Sequence, residues 1–212
     1  NPTGAIYPKE FLRDLGNLCI ERDLFVISDE VYEKLVFDAP HFSIASIEGM
    51  KERTAVINAF SKTYAMTGWR IGYSATSMEV TRAISKIQSH LSSNVNTMAQ
   101  YAAVKAFEVD TSSMVEEFRK RRDYVVSRLS QIGLKFSKPA GAFYVFIDIR
   151  SFLGGRFKNS NDFAIGLLEE QKVGMVPGSA FSYEGFIRMS FSSSTEELRE
   201  GLDRFDRFLK TL

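Results

Sequence analysis

The chain has 212 residues, of which 44% are apolar and 25% are charged. Lys and Arg together number 27 against 26 for Asp and Glu, so the formal net charge is +1. This balance is ordinary for a soluble globular protein, and it gives no electrostatic reason to expect nucleic acid or an anionic membrane as the main partner. No apolar stretch is long enough to span a bilayer and no signal peptide opens the chain, so the sequence predicts a cytoplasmic protein.

The single cysteine and the two histidines give no sign of a disulfide or a metal centre. Cys19 lies in the apolar-periodic run 11–19, which predicts a buried structural thiol and not a nucleophile. His41 and His90 are far apart in sequence, and neither has Cys or carboxylate neighbours at the spacing of metal ligands. We therefore expect no metal site.

The first hundred residues alternate between helical and strand-like segments, which predicts an α/β fold. Residues 8–22 place their apolar side chains on one helical face, with Pro8 in the first turn. Three short strands are predicted at 24–28, 54–60 and 70–76, and the first has the wholly apolar character of a buried parallel strand.

A three-stranded, mainly parallel sheet would leave long apolar edges without partners. The chain also opens inside a turn motif, Asn1-Pro2-Thr3-Gly4, with no initiator Met and no preceding element. Together these features predict a fragment or a processed chain that lacks an N-terminal half.

A long helical tract is predicted from residue 78 to residue 132, with breaks near 92–94 and 110–112. The basic run Arg119–Arg122 within it is interpreted as a solvated helix face. The later predicted strands are 134–136, 142–149 with alternating character, 174–176 and 186–191. The later predicted helices are 161–171 and 195–209.

The last predicted helix has a recognisable start. Ser194 or Thr195 is placed to act as its N-cap, since Glu197 follows at the spacing that helix starts favour. Neither residue is preferred on sequence grounds.

Polar side chains follow two of the predicted strands at the point where each strand ends. Asp29 and Tyr32 follow the first strand, and Ser61 and Lys62 follow the second, while Arg70 begins the third. Ligands of open α/β sheets gather at the carboxyl ends of the strands. This pattern places an acid, a phenol, a hydroxyl and an amine on one rim, with the Arg70 guanidinium nearby. Such a set could bind a phosphorylated heteroaromatic cofactor.

Four strings in this order resemble the fold-type I, pyridoxal-phosphate-dependent aminotransferases of class I and II, in particular the aspartate type. They are Asn1-Pro2-Thr3-Gly4, Asp29-Glu30-Val31-Tyr32, the long segment 61–73 around Lys62, and Phe186-Ile187-Arg188-Met189-Ser190. The resemblance covers essentially the whole chain and corresponds to the second half of the family. It implies the second half of a mainly parallel large-domain sheet in residues 1–108, followed by a smaller C-terminal α/β domain in residues 109–212.

The resemblance implies that Lys62 is the catalytic residue, which holds pyridoxal 5'-phosphate as a Schiff base and then moves the proton of the substrate α-carbon. Asp29 would pair with the protonated pyridine nitrogen and keep the ring able to accept electrons. Tyr32 and Asn1 would hydrogen-bond its phenolic oxygen. The simpler alternatives are a solvated lysine, a helix-capping Asp29 and a core tyrosine.

The same resemblance assigns Ser61 and Arg70 to the cofactor phosphate. It assigns Arg188, together with Asn1, to substrate binding, because a bidentate arginine would hold the α-carboxylate and orient the Cα–H bond. The alternatives left open are a structural ion pair for Arg70 and a cross-strand salt bridge for Arg188.

The leading functional hypothesis is transfer of an amino group between an aspartate-like amino acid and a 2-oxo acid, in a protein that is a homodimer when whole. Carbon–sulfur lyase or decarboxylase chemistry on the same scaffold is an alternative, as is a catalytically inactive truncated chain. A dinucleotide-binding domain is disfavoured because no G-x-G-x-x-G follows the first strand.

This sequence lacks parts of the family pattern that the N-terminal half supplies. They are the loop that holds the phosphate, the aromatic residue that stacks on the ring, and most residues that select the substrate side chain. We therefore expect the fragment alone to be inactive.

Overall fold

The computed structural model describes residues 1–212. Its contacts divide the chain into two compact units, which we call the first unit (Ile6–Ser113) and the second unit (Asn1–Ala5 with Met114–Leu212). The predicted domain division between residues 108 and 109 stays a prediction.

The first unit contains a three-stranded sheet in the order β1-β2-β3, formed by Val26–Asp29, Thr54–Ala59 and Gly72–Ala75. β1 and β2 are parallel, with Asp29 opposite Ile57. β3 runs antiparallel to β2, with Gly72 opposite Ala59. The predicted α/β class is confirmed, and the sheet is mixed, with one parallel and one antiparallel pair.

Helix α1 (Lys9–Glu21) packs one apolar face on the start of this sheet. Its Cys19 lies in a cluster with Ile44, Met50 and Val26 of β1. Because Cys19 is buried and makes no disulfide, the predicted structural thiol is confirmed.

Three further helices follow, α2 (Phe60–Thr63), α3 (Met78–Leu91) and α4 (Thr97–Ala106). The break between α3 and α4 confirms the interruption predicted near residues 92–94. Small side chains of α4 pack on Phe60, the first residue of α2, and on Ile71. This packing fixes the segment that carries Lys62.

The second unit is built on a four-stranded antiparallel sheet in the order β4-β5-β7-β6. Its strands are β4 (Lys135–Phe136), β5 (Tyr144–Asp148), β6 (Val176–Pro177) and β7 (Phe186–Ser190), and its helices are α5 (Ser112–Ile132), α6 (Ser160–Gln171) and α7 (Thr195–Leu209). β5 was predicted to alternate between buried and exposed residues, but its first four residues are all buried. Because neighbouring residues of a strand point to opposite faces, this burial means that both faces of β5 are covered. Phe181 and Phe186 pack on Phe146 on one of these faces.

The core of the second unit is formed by aromatic and aliphatic side chains of α5, α6, α7 and the two central strands. Phe163, Phe205 and Phe208 pack with their rings in edge contact. No helix of the structure combines the length and the apolar character that crossing a membrane requires.

Candidate active site

Asp29 is the last residue of β1 and its side chain is exposed. Its Oδ1 accepts a hydrogen bond from the Val31 N–H at 3.2 Å. A turn follows, and no helix begins here, so the helix-capping alternative for Asp29 does not fit the structure. Tyr32 lies half-buried in this turn, where its carbonyl oxygen accepts from the Leu35 N–H at 2.9 Å.

Lys62 lies in α2, the short helix that follows β2 directly. Phe60 and Thr63 of this helix are buried, whereas Ser61 and Lys62 are half-buried. The spacing of three residues between the two buried side chains turns one side of the helix towards the core. Ser61 and Lys62 are thereby left on the accessible side.

The parallel pairing of β1 and β2 brings their carboxyl ends to the same edge of the sheet. Asp29 ends one strand, and Ser61 and Lys62 follow the end of the other. The structure therefore places the carboxylate and the amine at one rim, as the strand pattern predicts.

Arg70 lies two residues before β3, next to the end of β3 that borders this edge of the sheet. The predicted strand 70–76 begins only at Gly72, because Arg70 has a left-handed backbone with a φ of 50°. Its Nη1 donates to the Thr67 carbonyl oxygen at 2.9 Å. Since Gly72 pairs with Ala59 at the end of β2, Arg70 lies next to the rim that carries Ser61.

In the second unit, the structure brings Asn1 and Arg188 together although they are far apart in sequence. Arg188 Nη1 donates to Asn1 Oδ1 at 2.6 Å. The guanidinium lies between two rings, 4.3 Å from the Tyr144 centroid and 4.8 Å from that of Phe181. Its Nε is buried and has no hydrogen-bond partner.

The neighbours of Arg188 in the sheet exclude the alternative of a cross-strand salt bridge. Phe146 of β5 and Val176 of β6 lie opposite it, and both are apolar. A guanidinium that is packed between rings and faces a neutral amide is suited to a planar anionic ligand.

Gly4 explains how Asn1 is held in the second unit. The Gly4 carbonyl oxygen accepts from the Ala140 and Gly141 N–H groups at 2.8 and 2.9 Å. A Cβ at Gly4 would lie 2.3 Å from the Pro139 Cβ, and its φ of 71° is one that glycine adopts without strain. The Pro139 carbonyl oxygen in turn accepts from Arg122 Nη1 at 3.1 Å.

The interpretation of Arg119–Arg122 as a solvated helix face is wrong for Arg122, which is 2% exposed. It contacts the Pro139 carbonyl oxygen and forms an ion pair with Asp123. The periodicity of a single helix carries no information about a carbonyl group 17 residues later, so the pattern could not reveal this burial.

The sequence analysis also missed Glu30, which is 6% exposed and is the only buried acidic side chain in the chain. Its carboxylate accepts hydrogen bonds from the Ser28 and Ser43 hydroxyls at 2.9 and 2.7 Å, and it pairs with His41 Nε2 at 2.8 Å. The sequence gives one hint: if the predicted strand continued through Asp29 and Glu30, these two side chains would point to opposite faces of the sheet. It does not show that Glu30 is buried, because that burial depends on partners that are distant in sequence.

Comparisons with known proteins agree with these features. The family described as aminotransferase class I and II matches residues 1–205. The chain is 48% identical over 211 residues to an aspartate aminotransferase of Thermotoga maritima, a match that covers 100% of this chain and 54% of the relative. It is 45% identical over 223 residues to a probable aspartate/prephenate aminotransferase of Aquifex aeolicus, covering 100% of this chain and 56% of that relative.

Solved structures show the same likeness. The crystal structure of the Thermotoga maritima aspartate aminotransferase superimposes with a TM-score of 0.92 at 48% identity, over 99% of this chain and 54% of that one. An aromatic aminotransferase of Pyrococcus horikoshii gives a TM-score of 0.93 at 42% identity, over 100% of this chain and 58% of the other. This chain spans about half the length of the relatives it matches. It belongs to the class I and II aminotransferases and matches the C-terminal half of their fold-type I structure.

Proposed function

We propose that the protein carrying this chain is a pyridoxal-phosphate-dependent aminotransferase that moves an amino group between an aspartate-like amino acid and a 2-oxo acid. The observation that carries the proposal is the placing of Asp29 and Lys62 at one edge of the sheet by parallel strands. The names of the similar proteins, several of them aspartate aminotransferases, support the reaction class.

The donor set of the first unit fits the cofactor. Asp29 is a carboxylate suited to the protonated ring nitrogen, and Lys62 is an amine suited to a carbonyl group. Ser61 and Arg70 supply a hydroxyl and a guanidinium for the phosphate. When bound, pyridoxal 5'-phosphate supplies an electron sink for the substrate carbanion.

Each of these residues then has a physical task. Lys62 would hold the cofactor through its amine and, once free, would move the proton at the substrate Cα. The negative charge of Asp29 would keep the ring nitrogen protonated. Tyr32 and Asn1 would donate hydrogen bonds to the phenolic oxygen of the cofactor.

Arg188 and Asn1 of the second unit are proposed to bind the substrate α-carboxylate. The rings of Tyr144 and Phe181 contact the Arg188 guanidinium and limit its freedom to rotate. Its buried Nε has no partner, and a carboxylate oxygen would satisfy it. A carboxylate held by this guanidinium orients the Cα–H bond, which is the condition for stereospecific proton transfer.

Two statements about the whole protein accompany the proposal. We propose that it is a homodimer, as the family resemblance implies. We also propose that the 212-residue chain alone does not complete turnover, because the phosphate loop and the ring-stacking residue of the family are not among its residues.

Covalent attachment tests the assignment of Lys62. The protein is incubated with pyridoxal 5'-phosphate, reduced with borohydride and digested for peptide mapping. We expect one modified peptide, containing Lys62, and its loss in a Lys62→Arg variant. Lys51→Arg is the matched control, because Lys51 precedes β2 and so lies at the opposite edge of the sheet.

Label on another lysine would contradict the assignment of Lys62.

Product analysis tests the reaction class, since transamination yields a 2-oxo acid and the pyridoxamine form of the cofactor. Release of a thiol with ammonia, or of carbon dioxide, would contradict the proposed reaction while leaving the cofactor site in place.

A further inference from the structure

The buried carboxylate of Glu30 lies directly behind the proposed cofactor site. Along β1 the side chains alternate, so that Ile27 and Asp29 are exposed while Val26 and Ser28 are half-buried. Glu30 continues this alternation and is buried on the face opposite Asp29. Its backbone N–H donates to the Ile57 carbonyl oxygen at 2.8 Å, which extends the pairing with β2 one residue past the strand end.

Three side chains from two segments satisfy the Glu30 carboxylate. One oxygen accepts from the hydroxyls of Ser28 and Ser43, and the other pairs with His41 Nε2 at 2.8 Å. Glu33 lies close by, with the ligand atoms of Glu30, Glu33 and His41 all within 4.8 Å of one another. The three existing hydrogen bonds to Glu30 favour an internal ion pair over a cation site at this group.

The pKa shifts of Glu30 and His41 also favour an internal ion pair between these two residues. Burial acts to raise the pKa of the Glu30 carboxyl, but the hydrogen bonds from His41, Ser43 and Ser28 outweigh it and hold the pKa below its usual range. The hydrogen bond to Glu30 raises the pKa of His41 against the effect of burial, with Glu33 adding to the rise and Lys34 opposing it. Both shifts favour a charged pair.

The network fixes the turn that carries Tyr32. The Glu30 carbonyl oxygen accepts from the Glu33 N–H at 2.9 Å, which closes the start of the turn. Leu35, which is fully buried, closes its end through the Tyr32 carbonyl oxygen. A displacement of Glu30 would therefore move both Asp29, its immediate neighbour, and Tyr32.

We propose that Glu30 is a positioning residue that holds Asp29 and Tyr32 in place for the cofactor. His41 is its charge partner, and it neutralises a buried anion that would otherwise lie next to Asp29. The proposal rests on the function proposed above, because Asp29 and Tyr32 have this role only if the cofactor binds.

The test compares Glu30→Gln with the matched control Glu33→Gln. Both variants remove one negative charge near His41, but only the first removes the carboxylate that Ser28, His41 and Ser43 bind. Proton NMR titration follows the His41 imidazole. We expect its midpoint to fall markedly in Glu30→Gln and less in Glu33→Gln.

Cofactor binding gives the positioning readout. We expect Glu30→Gln to weaken the affinity for pyridoxal 5'-phosphate about tenfold, since a hydrogen-bonded charge is lost behind Asp29. The pH midpoint of the absorbance band of the bound cofactor should rise by about one unit. The reason is that a displaced Asp29 would no longer keep the ring nitrogen protonated. Without that positive charge on the ring, protonation of the Lys62 nitrogen would become more favourable. Glu33→Gln should leave the affinity within about twofold and the midpoint unchanged.

A purely structural role would lower the unfolding temperature but leave the absorbance midpoint at the wild-type value, and that result would overturn the proposal. If Glu30→Gln does not fold, His41→Gln replaces it. This variant should shift the absorbance midpoint in the same direction by a smaller amount, and an unchanged midpoint would equally overturn the proposal. Absence of cofactor on Lys62 in the wild-type protein would instead refute the proposed function.

Discussion

The Arg188 guanidinium packs against two aromatic rings and donates a hydrogen bond to the neutral side-chain amide of Asn1. Arg188→Ala removes a charged, planar donor that we assign to the substrate and not to the cofactor. We expect KM for amino acids to rise roughly a hundredfold, because two charge-assisted hydrogen bonds are lost, while the affinity for pyridoxal 5'-phosphate stays near normal. Steady-state kinetics and a cofactor titration, both carried out on the whole protein that carries this chain, measure the two quantities.

The exposed Arg199 of α7 provides the control, since Arg199→Ala removes the same charge from the same unit. Its KM should match that of the wild type. Loss of cofactor in Arg188→Ala would count against the carboxylate role.

The charged residues show where prediction from sequence succeeds and where it fails. Asp29 and Lys62 could be found because each follows a predicted strand, and local order along the chain determines their place at the rim. Glu30 and Arg122 could not, because burial of a charge depends on partners that are distant in sequence. His41 and Ser43 lie 11 and 13 residues after Glu30, and Pro139 lies 17 residues after Arg122.

At the scale of elements, hydrophobic periodicity predicted the long segments well. The tract 78–132 is divided into α3, α4 and α5 at the two predicted breaks. The strand predicted at 54–60 is Thr54–Ala59, and the closing helix predicted at 195–209 is Thr195–Leu209. Period-based patterns need several turns or alternations, and these segments supply them.

Hydrophobic periodicity did not predict the shorter elements. The helix α2 has four residues, and the turn Thr67–Trp69 ends in the left-handed Arg70. One turn of helix is too short to show a period, and its formation depends on tertiary contacts such as those of Phe60 with α4. The site residues Ser61, Lys62 and Arg70 all lie in or beside these short elements.

The sequence left open whether Ser194 or Thr195 is the N-cap of α7, and the structure allows this question to be tested. Ser194 forms a capping box, because its Oγ accepts from the Glu197 N–H at 3.2 Å and the Glu197 side chain accepts from the Ser194 N–H at 3.0 Å. Ser194→Ala should lower the free energy of unfolding by about 1 kcal/mol. Denaturant unfolding measures the change.

Thr195→Ala is the matched control, since Thr195 is the alternative cap that the sequence left open. It should change the stability by less than about 0.5 kcal/mol. An equal loss in both variants would show that the hydroxyls act otherwise than through the capping box.

At the scale of the whole chain, the first unit exposes large apolar side chains on β1 and on α3. Ile27, in the middle of β1, is 74% exposed, every residue of β3 is exposed, and no residue of α3 is buried. β1 and β3 form the two edges of the sheet, as the prediction of only three strands implied. Exposed apolar side chains on a sheet favour association, and unpaired strand edges can pair with further strands.

We therefore expect the 212-residue chain to self-associate through the exposed face of β1. Ile27→Lys replaces an exposed apolar side chain of β1 with a charged one. Any association that covers this face would then have to bury the charge. Burial of an isoleucine side chain contributes about 1.5–3 kcal/mol, so the association constant should fall roughly ten- to a hundredfold. Sedimentation velocity measures the association, and circular dichroism should show an unchanged fold because the side chain makes little contact within the unit.

Ile165→Lys provides the comparison, because Ile165 is a 46% exposed isoleucine on α6, outside this sheet. Its substitution should leave the association constant within about twofold, since scattered exposed apolar residues carry no such role. An equal reduction in both variants would indicate a general effect of added charge on solubility. That result would contradict the prediction that the 212-residue chain associates through the face of β1.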